Sequence, residues 1–149
     1  MILRECEVRY KRTKIDAPES WPARITSSRD VHAMLRATMT DLPTERVVAV
    51  LLNTKNKPIG LVTCAQGGTS SCALACADVF RPALVAGAPA MILAHNHPSG
   101  DVAPSADDIA LTSRLVAAAE ILGVRILDHV IVGDGKVFSF LDAGIFPRK

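Results

Sequence analysis

The sequence predicts a single α/β domain, an α+β sandwich in which helices flank one mixed sheet. Two apolar runs, residues 45–53 and 90–95, are typical of strands that are buried on both faces. Segments of helical periodicity alternate with such strands along the chain. At 149 residues and 49% hydrophobic content, the chain can bury one core. We place that core at about residues 44–140 of a domain spanning 1–149, after an N-terminal strand and helix extension over 1–43.

The N-terminal extension combines a strand, a connector and a helix. Residues 5–14 alternate apolar and charged side chains, which is typical of an edge strand, and two prolines interrupt residues 17–22. Ser27 and Asp30 fit a capping box that opens a helix. The apolar face of that helix carries Val31, Met34, Leu35 and Met39.

A hairpin and a second helix follow. The apolar strand over 45–53 is separated by a polar turn from a returning strand over 59–64. Residues 67–71 form a glycine-rich loop. Residues 75–86 favour a helix, in which Pro82 would produce a kink unless it lies near the first turn.

The last part of the chain alternates strand and helix again. The apolar strand over 90–95 leads to a helix that Ser105 caps and that runs to about Leu122. We predict that its buried face carries Ile109, Thr112, Leu115, Val116, Ala119 and Leu122. Strands over 124–132 and 137–140, joined by a glycine-rich turn, complete the sheet.

Composition excludes several classes of protein. Mean hydropathy of +0.25 excludes a disordered chain, and no apolar run approaches the roughly 18 residues of a membrane helix. The N-terminus lacks the pattern of a signal peptide, so we expect a cytoplasmic protein. None of the cysteines forms a Cys-x-x-Cys pair, and we interpret all of them as small apolar thiols. They are Cys6, Cys64, Cys72 and Cys76.

Polar side chains gather where the strand over 90–95 ends. His95 and His97 point to the same side of an extended chain, and Asp108 can return to them from the next helix. Two imidazoles and a carboxylate suit zinc, and three protein ligands with one open position are typical of a catalytic zinc site. The alternative is a polar turn before a helix, with Asp108 only the third residue of a capping box begun by Ser105.

Other carboxylates compete for two roles in this site. Asp101 and Asp107 are rival ligands, but Asp107 lies about 100° around the helix from Asp108, so both cannot face one ion. A hydrolase also needs a general base, and the candidates are Glu45, Asp78 and Asp128. Glu45 begins the most apolar strand; alternatively, it only pairs with Arg46 at the strand entry.

Asp128 and His129 are adjacent on the predicted strand over 124–132. Neighbouring strand residues face opposite sides, so at most one of them faces the site. We interpret both as structural: one pairs with a backbone or arginine partner, and the other lies under a helix.

The site residues resemble the JAMM (MPN+) metalloprotease motif: His95-x-His97, seven residues, Ser105, two residues and Asp108, with an upstream glutamate. The longer string over 95–101, with Pro-Ser at 104–105, is similar to the RadC branch of that superfamily. Residues 79–84 and 126–135 are similar to it as well. The resemblance covers roughly residues 44–140.

This resemblance implies a cytidine-deaminase-like α/β fold with one zinc ion held by His95, His97 and Asp108. Glu45 would take a proton from the zinc-activated water and pass it to the leaving amine, and Ser105 would donate to the oxyanion. The implied function is a zinc-dependent metallohydrolase that cleaves peptide or isopeptide bonds in a peptide or protein substrate.

Two other functions compete with hydrolysis. In a RadC-like module associated with DNA repair or protein binding, the zinc site would be structural. The basic residues Arg9, Lys11, Arg12 and Lys14 are the feature that supports a nucleic-acid partner, although a solvated edge strand explains them more economically. A nucleotide deaminase would need His-x-Glu and Pro-Cys-x-x-Cys, and the sequence contains neither. Exposed edge strands favour a homodimer.

Overall fold

The computed structural model describes residues 21–67 and 74–147. The predicted strand over 5–14, the basic residues within it, Cys6 and Cys72 lie outside the described residues, as does part of the loop predicted over 67–71. Within the described ranges, the helices and strands follow the predicted order. They are α1 (Ser28–Met39), β1 (Arg46–Leu52), β2 (Pro58–Gln66), α2 (Cys76–Ala86), β3 (Ala90–His95), α3 (Ala106–Leu122), β4 (Arg125–Val132) and β5 (Val137–Ser139).

The strands form one mixed sheet in the order β2-β1-β3-β4-β5. β1 pairs antiparallel with β2 and with β3, β3 pairs parallel with β4, and β4 pairs antiparallel with β5. The parallel pair needs a crossover, which α3 supplies. The predicted hairpin and the predicted mixed α/β class are confirmed.

The sheet has a core on each face. β1 and β3 are apolar along almost their whole length, because alternate residues point to opposite sides of the sheet and both sides are buried. α1 covers one face through Val31, Met34, Leu35 and Met39. α2 and α3 cover the other face, where their buried residues pack on Met91 and Leu93 of β3. This arrangement buries the central strand that ends at the histidines.

Two helices begin with the capping boxes that the sequence predicts. The Ser27 hydroxyl accepts a hydrogen bond from the Asp30 backbone, and the Asp30 carboxylate accepts one from the Ser27 backbone. Ser105 and Asp108 repeat this arrangement at α3. Such caps satisfy backbone donors that have no partner within the helix. α2 lacks a side-chain cap and continues through Pro82, so that proline lies beyond its first turn.

The predicted buried face of α3 is wrong at its two ends. Ile109 and Leu122 are 44% and 41% exposed, whereas Asp108 and Leu111 are buried. Thr112, Leu115 and Ala119 are buried as predicted, and Val116 is half-buried. α3 is apolar on several sides, so hydrophobic periodicity does not fix its rotation. The inward direction of Asp108 fixes the rotation of α3 about its axis, because residues 108, 111, 115 and 119 lie on one helix face and must turn inward together.

No helix among the described residues combines the length and the apolar character needed to cross a bilayer.

Candidate metal centre

β3 delivers two histidines to the edge of the core. His95 is the last residue of the strand and its side chain is 1% exposed, while that of His97 is 17% exposed. The pleat places both rings on the α3 side of the sheet, and their centroids lie 4.8 Å apart. His95 is therefore enclosed by protein, and His97 lies at the opening of the site.

The loop after β3 orients the His97 ring. Gly100 adopts a φ of 74°, a left-handed conformation that glycine accommodates without strain, and its nitrogen donates to the His97 carbonyl. This turn brings the Asp101 carbonyl within 2.8 Å of His97 Nδ1. A carbonyl can only accept a hydrogen bond, so Nδ1 carries a proton; when that is the only ring proton, Nε2 presents a lone pair.

The first turn of α3 brings Asp108 to the histidines. Its Oδ2 accepts hydrogen bonds from the Ser105 nitrogen at 2.8 Å and the Ser105 hydroxyl at 2.7 Å. Burial alone would raise the pKa of Asp108. The adjacent His95 ring, whose Nε2 lies 3.2 Å from Oδ1, and the Ser105 hydrogen bonds nevertheless hold that pKa well below its usual range. The rival carboxylates Asp101 and Asp107 are both exposed.

Three ligand atoms converge at this point. His95 Nε2 lies 3.0 Å from His97 Nε2 and 3.2 Å from Asp108 Oδ1, and His97 Nε2 lies 3.3 Å from Asp108 Oδ2. In a tetrahedral site with zinc bonds of about 2.0–2.1 Å, neighbouring ligand atoms are about 3.3 Å apart. Two imidazole nitrogens and the two oxygens of one carboxylate at these distances could hold a zinc ion, and the three residues are those that the sequence predicts as ligands.

Strand register places Glu45 beside the same site. Val47 of β1 lies opposite His95 of β3, and continuing this antiparallel register by two residues places Glu45 opposite His97. Paired residues of an antiparallel ladder share one face. Asn96 fixes the approach, because its amide donates to the Thr44 carbonyl at 3.2 Å and accepts from the Arg46 nitrogen at 2.9 Å.

Glu45 also carries a buried carboxylate oxygen, Oε1, that has no hydrogen-bond partner within the described residues. The alternative pairing with Arg46 receives no support, since the Arg46 guanidinium donates to the Thr38 carbonyl of α1 at 3.0 Å. A buried polar atom without a partner is costly. Its position next to the convergent ligands suits a group that meets a water or a substrate there.

The other two candidate bases lie elsewhere. Asp78 is exposed on α2, and its carboxylate lies 3.7 Å from the Arg81 guanidinium. Asp128 points to the face opposite His129, where it accepts hydrogen bonds from the Ser139 hydroxyl and the Leu141 nitrogen. Burial raises the pKa of Asp128 above its ordinary value, although these donors oppose the change. The structural interpretation of Asp128 agrees with these contacts.

The interpretation of His129 as merely structural misses a contact with the site. His129 is fully buried beneath α3, as predicted, but its Nε2 lies 2.8 Å from Nδ1 of His95. Its Nδ1 lies 2.6 Å from the Thr112 hydroxyl. Complete burial lowers the pKa of His129 well below its ordinary value, so the ring is neutral. The only sequence signal for this contact is the Asp128-His129 pair, which lies on the strand beside the one that ends at His95.

The two described cysteines are not part of the centre. Cys64 and Cys76 are free thiols that pack against the core cluster on the α2 and α3 side of the sheet. Burial raises the pKa of Cys64 to about 11, so it remains protonated near neutral pH. Their interpretation as small apolar residues is consistent with this packing.

Comparisons with known proteins agree with the geometry. The RadC-like JAB domain family matches residues 25–145. A UPF0758 protein of Rubrobacter xylanophilus is 46% identical over 121 residues, covering 81% of this chain and 53% of the relative. A UPF0758 protein of Staphylococcus haemolyticus is 43% identical over 126 residues, covering 85% of this chain and 55% of the relative. The chain thus spans about half the length of these curated relatives.

Proposed function

This chain belongs to the RadC-like JAB domain family, and from that membership and the site geometry we propose that it is a zinc-dependent metallohydrolase. The bond it cleaves is an amide, in a peptide or isopeptide linkage. Because the family assignment alone specifies neither a metal nor a reaction, the proposal depends on the side chains themselves.

One observation carries the proposal: two imidazole nitrogens and a carboxylate converge, and strand register brings to the same face a glutamate whose buried carboxylate oxygen has no partner among the described residues. The nitrogens belong to His95 and His97 and the carboxylate to Asp108, with separations of 3.0–3.3 Å. The free oxygen is Oε1 of Glu45. A solely structural zinc site has four protein ligands and needs no adjacent base. This set offers three ligands, an open side at His97 and a base.

Zinc bound by His95, His97 and Asp108 would lower the pKa of water and polarise a carbonyl. Glu45 accepts the proton of the attacking water and transfers it to the leaving amine, since its Oε1 has no other partner among the described residues. Asn96 keeps the Glu45 backbone in place through the flanking residues Thr44 and Arg46. His97 lies at the exposed side, from which a substrate reaches the site.

Ser105 has two roles in this proposal. At rest its hydroxyl donates to Oδ2 of Asp108, so its single hydrogen orients a ligand. Donation to an oxyanion, the role that the motif implies, requires the hydroxyl to rotate away from Asp108. The Ser105 nitrogen still donates to Oδ2 after that rotation, so Asp108 remains held.

Metal analysis tests the proposal. Purified, tag-free protein is dialysed after zinc loading, and zinc is measured per chain for wild type, Asp108→Asn and the matched control Asp107→Asn. We expect about one zinc in wild type and in the exposed-residue control, and a large loss in Asp108→Asn. Circular dichroism confirms that each variant is folded.

Either of two results would overturn the metal assignment. Wild-type protein without zinc after loading would remove the chemical basis of the proposal. Equal zinc in wild type and Asp108→Asn would place the metal elsewhere in the chain. His97→Ala, compared with His32→Ala on α1, repeats the test at a second ligand.

A further inference from the structure

A buried hydrogen-bonded series connects α3, β4 and β3 behind the candidate ligands. Its members are the Asp108 carbonyl, Thr112, His129 and His95, with successive heavy-atom separations of 2.6, 2.6 and 2.8 Å. Thr112 and His129 are 0% exposed and His95 is 1% exposed. The series begins at the backbone of one proposed ligand and ends at the ring of another.

The direction of every hydrogen bond in the series follows from its first member. The Asp108 carbonyl can only accept, so the single Thr112 hydroxyl hydrogen points to it. Thr112 Oγ1 must then accept from Nδ1–H of His129. With its single ring hydrogen on Nδ1, His129 presents an unprotonated Nε2, which accepts from Nδ1–H of His95. His95 Nε2 is left with a lone pair directed at His97 and Asp108.

We propose that Thr112 and His129 are positioning residues that select the Nδ1–H tautomer of His95 and thereby aim its Nε2 lone pair into the metal centre. Ligand histidines usually donate their second N–H to a carboxylate, a carbonyl or a water. His97 follows that rule through the Asp101 carbonyl. His95 instead uses a second imidazole, that of His129, whose own tautomer is fixed by a threonine.

Aromatic packing holds the His129 ring in the orientation that this role needs. Phe140 stacks on it with ring centroids 4.9 Å apart and an interplanar angle of 14°. Phe138 meets Phe140 edge to face at 5.6 Å. The Phe140 nitrogen also donates to the His129 carbonyl at 3.0 Å. Rotation of the imidazole would disturb this stack, so the two ring nitrogens keep their separate partners.

The zinc consequence of this role rests on the proposed function, but the tautomer itself does not. The experiment therefore has one metal-free arm and one zinc arm. It compares wild type with Thr112→Ser, which keeps the hydroxyl, and Thr112→Val, which has nearly the same shape without it. His129→Gln, which keeps an acceptor near His95, and His129→Leu, which has none, form a second pair.

In the metal-free arm, ¹⁵N NMR of the histidine rings at about pH 8, above the ordinary histidine pKa, reports each tautomer directly. We expect the Nδ1–H form of His95 in wild type and Thr112→Ser, and a shift toward the Nε2–H form in Thr112→Val. If Thr112 only packed against its neighbours, Thr112→Val would leave the His95 tautomer unchanged. Finding Nε2–H in wild-type His95, or the same tautomer in Thr112→Val as in wild type, would overturn the proposal.

In the zinc arm, competition with a chromophoric chelator gives the apparent zinc Kd of each protein. We expect Thr112→Val and His129→Leu to bind about 10–100-fold more weakly, the usual effect of removing a residue that orients a ligand. Thr112→Ser should stay close to wild type, and His129→Gln should recover part of the loss. Equal affinity in Thr112→Val and wild type would contradict the positioning role. Failure of wild type itself to bind zinc would refute the proposed function, while the NMR arm still decides the tautomer.

Discussion

The side chain of Asn96 bonds the backbone on both sides of Glu45, and its Oδ1 lies 2.9 Å from the Arg46 nitrogen. Asn96 is 2% exposed and lies between the two candidate ligands His95 and His97. Although Asn96 points away from the candidate metal centre, it therefore fixes the distance between the strand that carries the histidines and the candidate base Glu45.

Replacing Asn96 by alanine should separate metal binding from base positioning. The variant leaves the Arg46 nitrogen and the Thr44 carbonyl without their partner, and we expect a loss of about 1–3 kcal/mol in the free energy of unfolding. Zinc content should stay at the wild-type level because the ligands are untouched. Urea denaturation and metal analysis measure both quantities. Loss of zinc in proportion to loss of stability would show that Asn96 supports the whole site instead.

Glu45→Gln should keep zinc and lose hydrolysis. The amide cannot accept the proton of the attacking water, and general-base contributions are typically 10²–10⁴-fold in rate. The assay uses pooled fluorogenic peptides with zinc-loaded protein, and Asp78→Asn on the surface of α2 is the control. If the Glu45→Gln variant cleaves a peptide as fast as wild type does, Glu45 is not the general base.

Gly133→Ala should destabilise the loop that orients His97. A Cβ at residue 133 would lie 2.8 Å from Val102 Cγ1 and 3.2 Å from the Gly100 carbonyl oxygen. Overpacking of this kind costs about 1–3 kcal/mol. The double variant Gly133→Ala with Val102→Ala should recover part of that loss in thermal or urea unfolding. Gly60→Ala, whose closest contact is the flexible end of Leu51 at 3.3 Å, should cost less. A larger cost at Gly60 would contradict this packing argument.

Asp128→Asn should change the pH dependence of stability with a defined sign. The folded-state pKa of Asp128 is raised above its ordinary value of 3.8 by burial, so the folded protein binds this proton more tightly than the unfolded chain. The resulting stabilisation is fully present below pH 3.8 and is lost as the pH rises through the folded-state pKa.

Wild type should therefore gain stability relative to Asp128→Asn as the pH falls from about 7 toward about 4. Urea unfolding of both proteins at several pH values, with chelator present, measures this difference. The variant also loses an acceptor for the Ser139 hydroxyl or a backbone donor, which lowers its stability by a pH-independent amount. A stability difference that changes in the opposite direction would refute the raised pKa.

Local patterns were sufficient for the elements that carry the site. The apolar run before His95 predicts a buried strand, and the structure has that strand as Ala90–His95. The Ser105 and Asp108 spacing predicts a capped helix start, which the structure also contains. These features depend on residues within a few positions of one another, where side-chain period and backbone donors decide the outcome.

The rotation of α3 could not be predicted in this way. Ile109 and Leu122 were placed on the buried face because they fit a helical stripe, but both are substantially exposed. On a helix with several apolar sides, different stripes satisfy the same periodicity. The inward position of Asp108, set by its contacts with β3, selects between them.

The sequence by itself determined the candidate ligand residues, the capped helix and the alternation of strands and helices, because each is encoded by neighbours along the chain. Only the tertiary structure decided that Glu45 comes opposite the strand that carries the histidines, and that His129, itself held by Thr112, contacts His95 from behind. His95 and His129 are 34 residues apart, and their contact exists because β3 and β4 pair in one particular parallel register. A shift of that register by one residue would turn His129 to the opposite face of the sheet. Long-range register is a property of the packed sheet, and no local pattern encodes it.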